Sequence, residues 1–374
     1  MTVYLDYSAT TPVLPEVADL VYKTMVEEYG NAGSRTHEYG ASAKRAVELA
    51  RAQVASVVKA DKTEIIFTSG ATESNNIAIL GLREFAEHTG KKHIITSKIE
   101  HKAVLEPIAY LEQKGFNVTY LDVSNDGMID TEQLKASLRE DTVLVSVMHI
   151  NNETGVIQPI EKICQLLQGH NAYLHVDAAQ SFGKFSFSLD NSRIDFISVS
   201  GHKLYAPKGI GALVLRRRGY VKAPLKPLYY GGGQEKGLRP GTLATPLIAG
   251  LGLACELVTK NADDWIRHVS GLKSDFIATV TKLGAVINGT NTSPYVLNFS
   301  IPGINSEAAM VQLKGIVAVS NGSACTSSSY DPSHVLVAMG LDVERINGAI
   351  RVSFGVCTSD IPYEEINQQL RRLI

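Results

Sequence analysis

Between residues 60 and 215, short β-branched and aliphatic runs alternate with longer stretches in which apolar positions recur at helical spacing. Residues 64–69, 93–97, 117–122, 142–148, 172–177, 194–200 and 209–215 read as strands, and the spacing predicts helices over 71–87, 102–114 and 131–138. Strands that are apolar almost throughout, separated by helices, imply a largely parallel sheet covered on both faces. The Gly- and Pro-rich stretch 221–245 predicts a crossing loop, and a long helical pattern starts near Thr245 and runs past Trp265. Beyond residue 260 shorter strands and helices mix as a second unit. The expected organisation is a large α/β domain over 14–256, with a mostly parallel seven-stranded sheet, and a smaller α+β domain made from 1–13 and 257–374.

Composition narrows the class. The 374 residues are 44% hydrophobic and 20% charged, with a formal charge of −2, which suits a globular chain and argues against coating nucleic acid through phosphate contacts. The one dense basic run, Arg216-Arg217-Arg218, reads as a solvated strand end. The N-terminus lacks the order of a signal peptide, and no apolar run reaches the ~18 residues of a membrane span. Four scattered cysteines (Cys164, Cys255, Cys325, Cys357) suit neither a disulfide framework nor a metal knuckle, so no metal is expected. A cytoplasmic protein with reduced thiols and no membrane partner is the expectation.

In open α/β sheets ligands sit beyond the carboxyl ends of the strands, which makes polar residues at those ends the candidates for chemistry. Ser69-Gly70-Ala71-Thr72 joins a strand to a helix, either as an anion-binding turn or as a plain helix cap. Gly231-Gly232-Gly233-Gln234 lacks the ending of a nucleotide P-loop. Asp177 ends an apolar strand, where a carboxylate needs a cationic partner such as a pyridinium, or serves as a helix cap. Lys203 ends the next strand, and a lysine held there with a lowered pKa can form a Schiff base with an aldehyde. An anion-binding turn, then a strand-end Asp, then a strand-end Lys is the set that pyridoxal phosphate requires. Cys325 lies in a run of small polar residues, 320–329, that offers it no hydrophobic anchor. A reactive nucleophile on an exposed loop accounts for it better than core packing does. Cys164 and Cys255 read as buried small residues, and Cys357 as structural.

The chain resembles the cysteine desulfurases of the NifS/IscS class, which are pyridoxal-phosphate enzymes of fold type I. The resemblance is carried by Tyr4-Leu-Asp-Tyr-Ser-Ala-Thr-Thr-Pro12, Thr68-Ser-Gly-Ala-Thr-Glu-Ser-Asn75, Glu100-His-Lys-Ala-Val104, His149-Ile-Asn-Asn-Glu153, Val176-Asp-Ala-Ala-Gln180, Ser200-Gly-His-Lys203 and Gly322-Ser-Ala-Cys325, spread over nearly the whole length. It implies a homodimer that converts L-cysteine to L-alanine, leaves the sulfur as a persulfide on Cys325 and delivers it to an acceptor protein. It further implies that Lys203 holds the cofactor and moves the Cα proton, that His101 stacks on the ring, that Asp177 pairs with the ring nitrogen and that Gln180 bonds the ring oxygen. Thr72, Ser200 and His202 would hold the phosphate, and Thr242 would reach the phosphate of the other subunit. Asn152 and Arg351 would orient the substrate.

Some wordings resemble one branch of the class in particular. Gly30-Asn-Ala-Gly-Ser-Arg-Thr-His37, Leu238-Arg-Pro-Gly-Thr242, Ile99-Glu-His-Lys-Ala-Val-Leu-Glu-Pro107 and an end at Leu373-Ile374, without much of a C-terminal extension, look closest to the desulfurases of DNA phosphorothioation (DndA-like). The alternatives are housekeeping sulfur supply for iron–sulfur clusters or tRNA thiolation. A lyase or aminotransferase on the same fold would not need Cys325, and a non-catalytic pyridoxal-phosphate-binding protein would be expected to lack Lys203 or Cys325.

Overall fold

The computed structural model describes residues 2–321 and 332–374. Twelve strands occur among them: β1 (Val3–Tyr4), β2 (Ile65–Thr68), β3 (His93–Ser97), β4 (Asn117–Leu121), β5 (Thr142–Met148), β6 (Tyr173–Asp177), β7 (Phe196–Ser200), β8 (Gly211–Leu215), β9 (Val286–Ile287), β10 (Val296–Ser300), β11 (Val317–Ala318) and β12 (Ala349–Ser353). The seven runs read as strands are β2 to β8, and they form one sheet in the order β2-β8-β7-β6-β5-β3-β4. Its five-strand portion β7-β6-β5-β3-β4 is parallel, whereas β8 runs antiparallel to both β2 and β7. Strands β2, β3, β5 and β7 are buried at every position, which is why their sequences show no polar alternation.

The β2–β8–β7 edge requires glycine. A Cβ on Gly211 would lie 2.3 Å from the Val199 carbonyl oxygen and 2.6 Å from the Gly70 Cα. The missing side chain lets the turn after β2 press against the end of β7, so that Gly70 and Ser200 come to one place.

Two helices expected to be continuous are broken. The 71–87 stretch divides into Ala71–Leu80 and Arg83–Thr89, because the Gly81 carbonyl accepts the Lys226 N–H of the crossing loop at 2.9 Å. The helix from Thr245 ends at Lys260, where Asn261 turns its side-chain amide back onto the Leu257 carbonyl at 2.7 Å. A second helix, Ala262–Thr281, then begins. Helices Pro15–Val26 and Glu38–Ser56 precede the sheet. The latter buries Ala43, Val47, Ala50 and Val54 along one face. Arg216 is not a solvated residue: it is 6% exposed and donates to the carbonyls of Val58, Leu189 and Asn191. Arg218 is paired with buried Asp195.

A separate hydrophobic core forms around Phe276, Phe299, Phe354 and Ile366, beneath the antiparallel sheet β12-β10-β9. The N-terminus joins it: β1 pairs parallel with β11, and Leu5 is buried in that core. Among the described residues no helix is long and apolar enough to cross a membrane, and no cluster of His, Cys, Asp and Glu could hold a metal ion.

Candidate active site

A cavity of about 570 Å³ opens at the carboxyl ends of β5, β6 and β7. Nine of the eleven candidate residues line it: Thr72, His101, Asn152, Asp177, Gln180, Ser200, His202, Lys203 and Arg351. Thr242 is not among them; it is exposed on the loop before helix Thr245–Lys260. Cys325 lies outside the described residues. Cys164 and Cys255 are buried as read, whereas Cys357 is exposed.

Each side chain is presented by local geometry. Asp177, at the last position of β6, is 5% exposed; its carboxylate accepts the Ala179 N–H at 2.9 Å and the Asn75 side-chain amide at 2.8 Å. It therefore partly caps the following turn and still faces the cavity. Gly70, with φ of +155°, carries the chain from β2 into helix Ala71–Leu80, whose first amides and Thr72 face the same space. A Cβ there would stand 3.8 Å from Ser200 Oγ, so two hydroxyls and free backbone donors border a position with no side chain of its own. His101 caps helix Lys102–Gln113, its Nδ1 accepting the Ala103 N–H at 3.1 Å, which leaves Nε2 as the N–H of a neutral ring.

The floor comes from a segment to which the sequence assigned no role. Lys203 Nζ donates to the carbonyls of Ser8 and Ala9, and Gln180 Nε2 donates to the Ser8 carbonyl at 2.9 Å. His202 Nδ1 meets Thr10 Oγ1 at 3.2 Å. Residues 6–11 show no periodicity; they carry part of the family resemblance, but nothing in their pattern marked Ser8, Ala9 or Thr10 as part of the site. Arg351, on β12, reaches across from the smaller sheet. One terminal nitrogen donates to Asp6 at 2.7 Å and the other to the Asn152 carbonyl at 3.1 Å, while its buried Nε has no partner. That unmet donor suits an incoming carboxylate.

Burial favours neutral histidines around the cavity. Burial, reinforced by Lys203, Lys208 and Lys184, holds His202 down to about 4. His101 is lowered chiefly by burial, with Asp177 opposing and Lys203 adding to the effect. Glu100, directly before His101, is fully buried; burial and the charge of Asp177 push its carboxyl up to about 8, against hydrogen bonds from Ser97 and the Met148 N–H. Its second oxygen has no partner. Glu73 also borders the cavity. Burial would raise it, but bonds from Arg239, Tyr229 and Ser69 outweigh burial and hold it below the ordinary value. Sequence reading missed Glu100 and Glu73, since a carboxylate just before a helix cap or in a first helical turn looks like any other.

This donor set fits an aromatic aldehyde that carries a phosphate: a buried carboxylate for a ring nitrogen, a lysine amine for the aldehyde and a side-chain-free turn with hydroxyls for the phosphate.

The aminotransferase class-V family profile matches residues 3–365. The chain is 46% identical to the cysteine desulfurase IscS of Vibrio campbellii over 376 residues, which is 99% of this chain and 92% of that protein. A NifS-like protein of known structure superposes with a TM-score of 0.90 at 38% identity, covering 100% of this chain and 98% of that one. The crystal structure of DndA from Streptomyces lividans superposes with a TM-score of 0.82 at 48% identity, covering 94% and 99%. A fold with the seven-stranded, mostly parallel sheet of pyridoxal-phosphate fold type I, a cavity suited to that cofactor and full-length desulfurase relatives agree: the chain belongs to the aminotransferase class-V family, as a pyridoxal-phosphate-dependent cysteine desulfurase of the NifS/IscS class.

Proposed function

We propose that Lys203 carries the cofactor, that Asp177, His101 and Gln180 hold its ring, that Thr72, Ser200 and His202 hold its phosphate, and that Cys325 receives the sulfur of L-cysteine. The observation that supports this most is the meeting of Lys203, Asp177, His101 and Arg351 around one cavity, although they are drawn from three strand ends and the smaller sheet. Bound pyridoxal phosphate supplies an electron sink for the charge left when the substrate Cα proton departs. Asp177 keeps the ring nitrogen protonated and so deepens that sink. The Lys203 nitrogen, which would hold the cofactor, would also take the Cα proton. The open Nε of Arg351 and the side chain of Asn152 fix the substrate carboxylate. A thiolate at Cys325 attacks the substrate sulfur: the new S–S bond forms as the Cβ–S bond breaks, and alanine leaves after protonation.

Residues 14–256 then serve as the cofactor-binding domain, with 1–13 and 257–374 as a smaller domain that supplies Arg351 and the Cys325 loop. Thr242, outside its own cavity, is assigned to the site of a second copy in a homodimer. The sulfur acceptor is a protein, and we assign it to DNA phosphorothioate modification. The 48% identity to DndA and the wordings around His37, Pro107 and Thr242 support this. The 46% identity to IscS favours a second reading, sulfur supply for iron–sulfur clusters.

Incubating the cofactor-loaded enzyme with L-cysteine, alkylating its thiols and mapping the peptides by mass tests the chemistry. One extra sulfur on the Cys325 peptide is expected, and Cys325→Ser should keep the cofactor colour while losing sulfur release. Normal alanine production by that variant would remove Cys325 from its role. Deleting the gene tests the branch: phosphorothioate linkages should vanish from the DNA, and their persistence beside failing iron–sulfur enzymes would decide for the second reading.

A further inference from the structure

Lys184 is a buried cation that the site above leaves unused. It ends the turn that follows Asp177, in which the Phe182 N–H bonds the Ala178 carbonyl at 2.9 Å. Gln180, in the same turn, and Lys203 both donate to the Ser8 carbonyl, which fastens this turn against Lys203. Lys184 is only 4% exposed, and its ammonium lies 5.2 Å from the centroid of the Tyr295 ring. Among the described residues no carboxylate or hydrogen-bond acceptor answers it. Lys203 is the charged group whose field it feels, and His202 on the other side feels Lys203, Lys208 and Lys184 together.

A lysine buried without a counter-ion is costly, and the face of one tyrosine offsets only part of that cost. A methionine of similar length would fill the same space more favourably. Burial and the charge of Lys203 bring Lys184 down to about 7, and the same repulsion acts on Lys203 in return.

We propose that Lys184 is a positioning residue for the reaction, whose buried cation drives the proton from Lys203 into solvent so that Lys203 meets the cofactor aldehyde as a neutral amine. This rests on the assignment of Lys203 as the cofactor-bearing lysine. The device is electrostatic, as when a second cation activates a lysine nucleophile elsewhere. The groups facing Lys184 are Lys203 and His202 from the turn after β7 and the Tyr295 ring from the segment before β10; none of them is a carboxylate.

The pH at which the holoenzyme's cofactor absorbance changes reports the proton on the Lys203 nitrogen. In Lys184→Met that transition should move upward by on the order of one pH unit, the size of a cation pair at short range. Lys184→Arg, which keeps the charge, should leave it near the wild-type value. A folded Lys184→Met enzyme with an unmoved transition would overturn the proposal. The reciprocal measurement does not need that variant to fold. In full-length Lys203→Met, the titration of Lys184, followed by competitive amine labelling and peptide mass, should shift upward, and an unshifted titration would equally overturn the coupling. Lysines that titrate together, with cofactor still covalently held in Lys203→Ala, would instead remove Lys203 from its assigned role and leave the coupling standing.

Discussion

At the scale of single residues, Glu100 shows how a buried group can act without touching a ligand. Its folded pKa, raised to about 8 by burial and Asp177, exceeds that of an unfolded glutamic acid. Between those two values the folded chain holds a proton that the unfolded chain has lost, so stability falls as pH rises through the window and levels off above the folded value. Glu100→Gln keeps the neutral side chain, and its amide nitrogen can occupy the place of the protonated oxygen. From mildly acidic pH toward pH 8, the urea midpoint of wild type should therefore fall steadily relative to that of Glu100→Gln. The folding equilibrium should change by about tenfold per pH unit. Parallel midpoints across the range would mean that Glu100 is ionised in the fold. Asp177 and Lys203 were legible in the sequence because one closes a strand and the other lies in the short turn just after one, at the end of the sheet where ligands gather. Glu100 and Lys184 were not, because their peculiarity is burial without an opposite charge, and only the packing of distant segments decides that.

Among elements, the strands were legible wherever burial on both faces wrote itself as an unbroken apolar run. The breaks at Gly81 and Asn261 were not, since one depends on Lys226 from a remote loop and the other on which way an amide turns. The antiparallel β8 was equally hidden, because a buried strand reads the same in either direction. That strand nevertheless sets the site through Gly211. Gly211→Ala places a methyl group where the Val199 carbonyl and the Gly70 backbone already stand, and both are backbone that cannot rotate away. The variant should lose about 2–4 kcal/mol of stability, and Gly70 and Ser200 should part. Cofactor absorbance and denaturant midpoint, measured together, should both drop. A stable variant with full cofactor occupancy would show that the β2–β8–β7 contact has more slack than these distances allow.

For the whole molecule, the proposed homodimer has a candidate surface in an exposed apolar stripe. Tyr22, Met25, Val26 and Tyr29 recur at helical spacing on and just after helix Pro15–Val26, and each is more than half exposed. Tyr29 stacks on Tyr39 at 5.6 Å, and Tyr39 is itself 56% exposed. Such a stripe is unusual on a surface that meets only water. Ala32, three residues beyond Tyr29, shares a cleft of about 300 Å³ with Leu243, the neighbour of Thr242. The buried pair Arg51–Glu235, bonded at 2.6 and 2.9 Å, ties the loop bearing Thr242 to helix Glu38–Ser56. Stripe and threonine are thus held on neighbouring segments, as a two-fold interface would need if Thr242 served the facing cavity. Mixed dimers make this decisive. Thr242→Ala and Lys203→Ala subunits, each inactive with its own kind, would when paired leave one complete site, built from the Lys203 of the first and the Thr242 of the second. Co-expressed with two tags and isolated as the heterodimer, the pair should recover about half the wild-type activity per dimer, as one intact site of two. If Thr242 instead acts on the cavity of its own chain, both sites of the mixed dimer are damaged, and no activity returns.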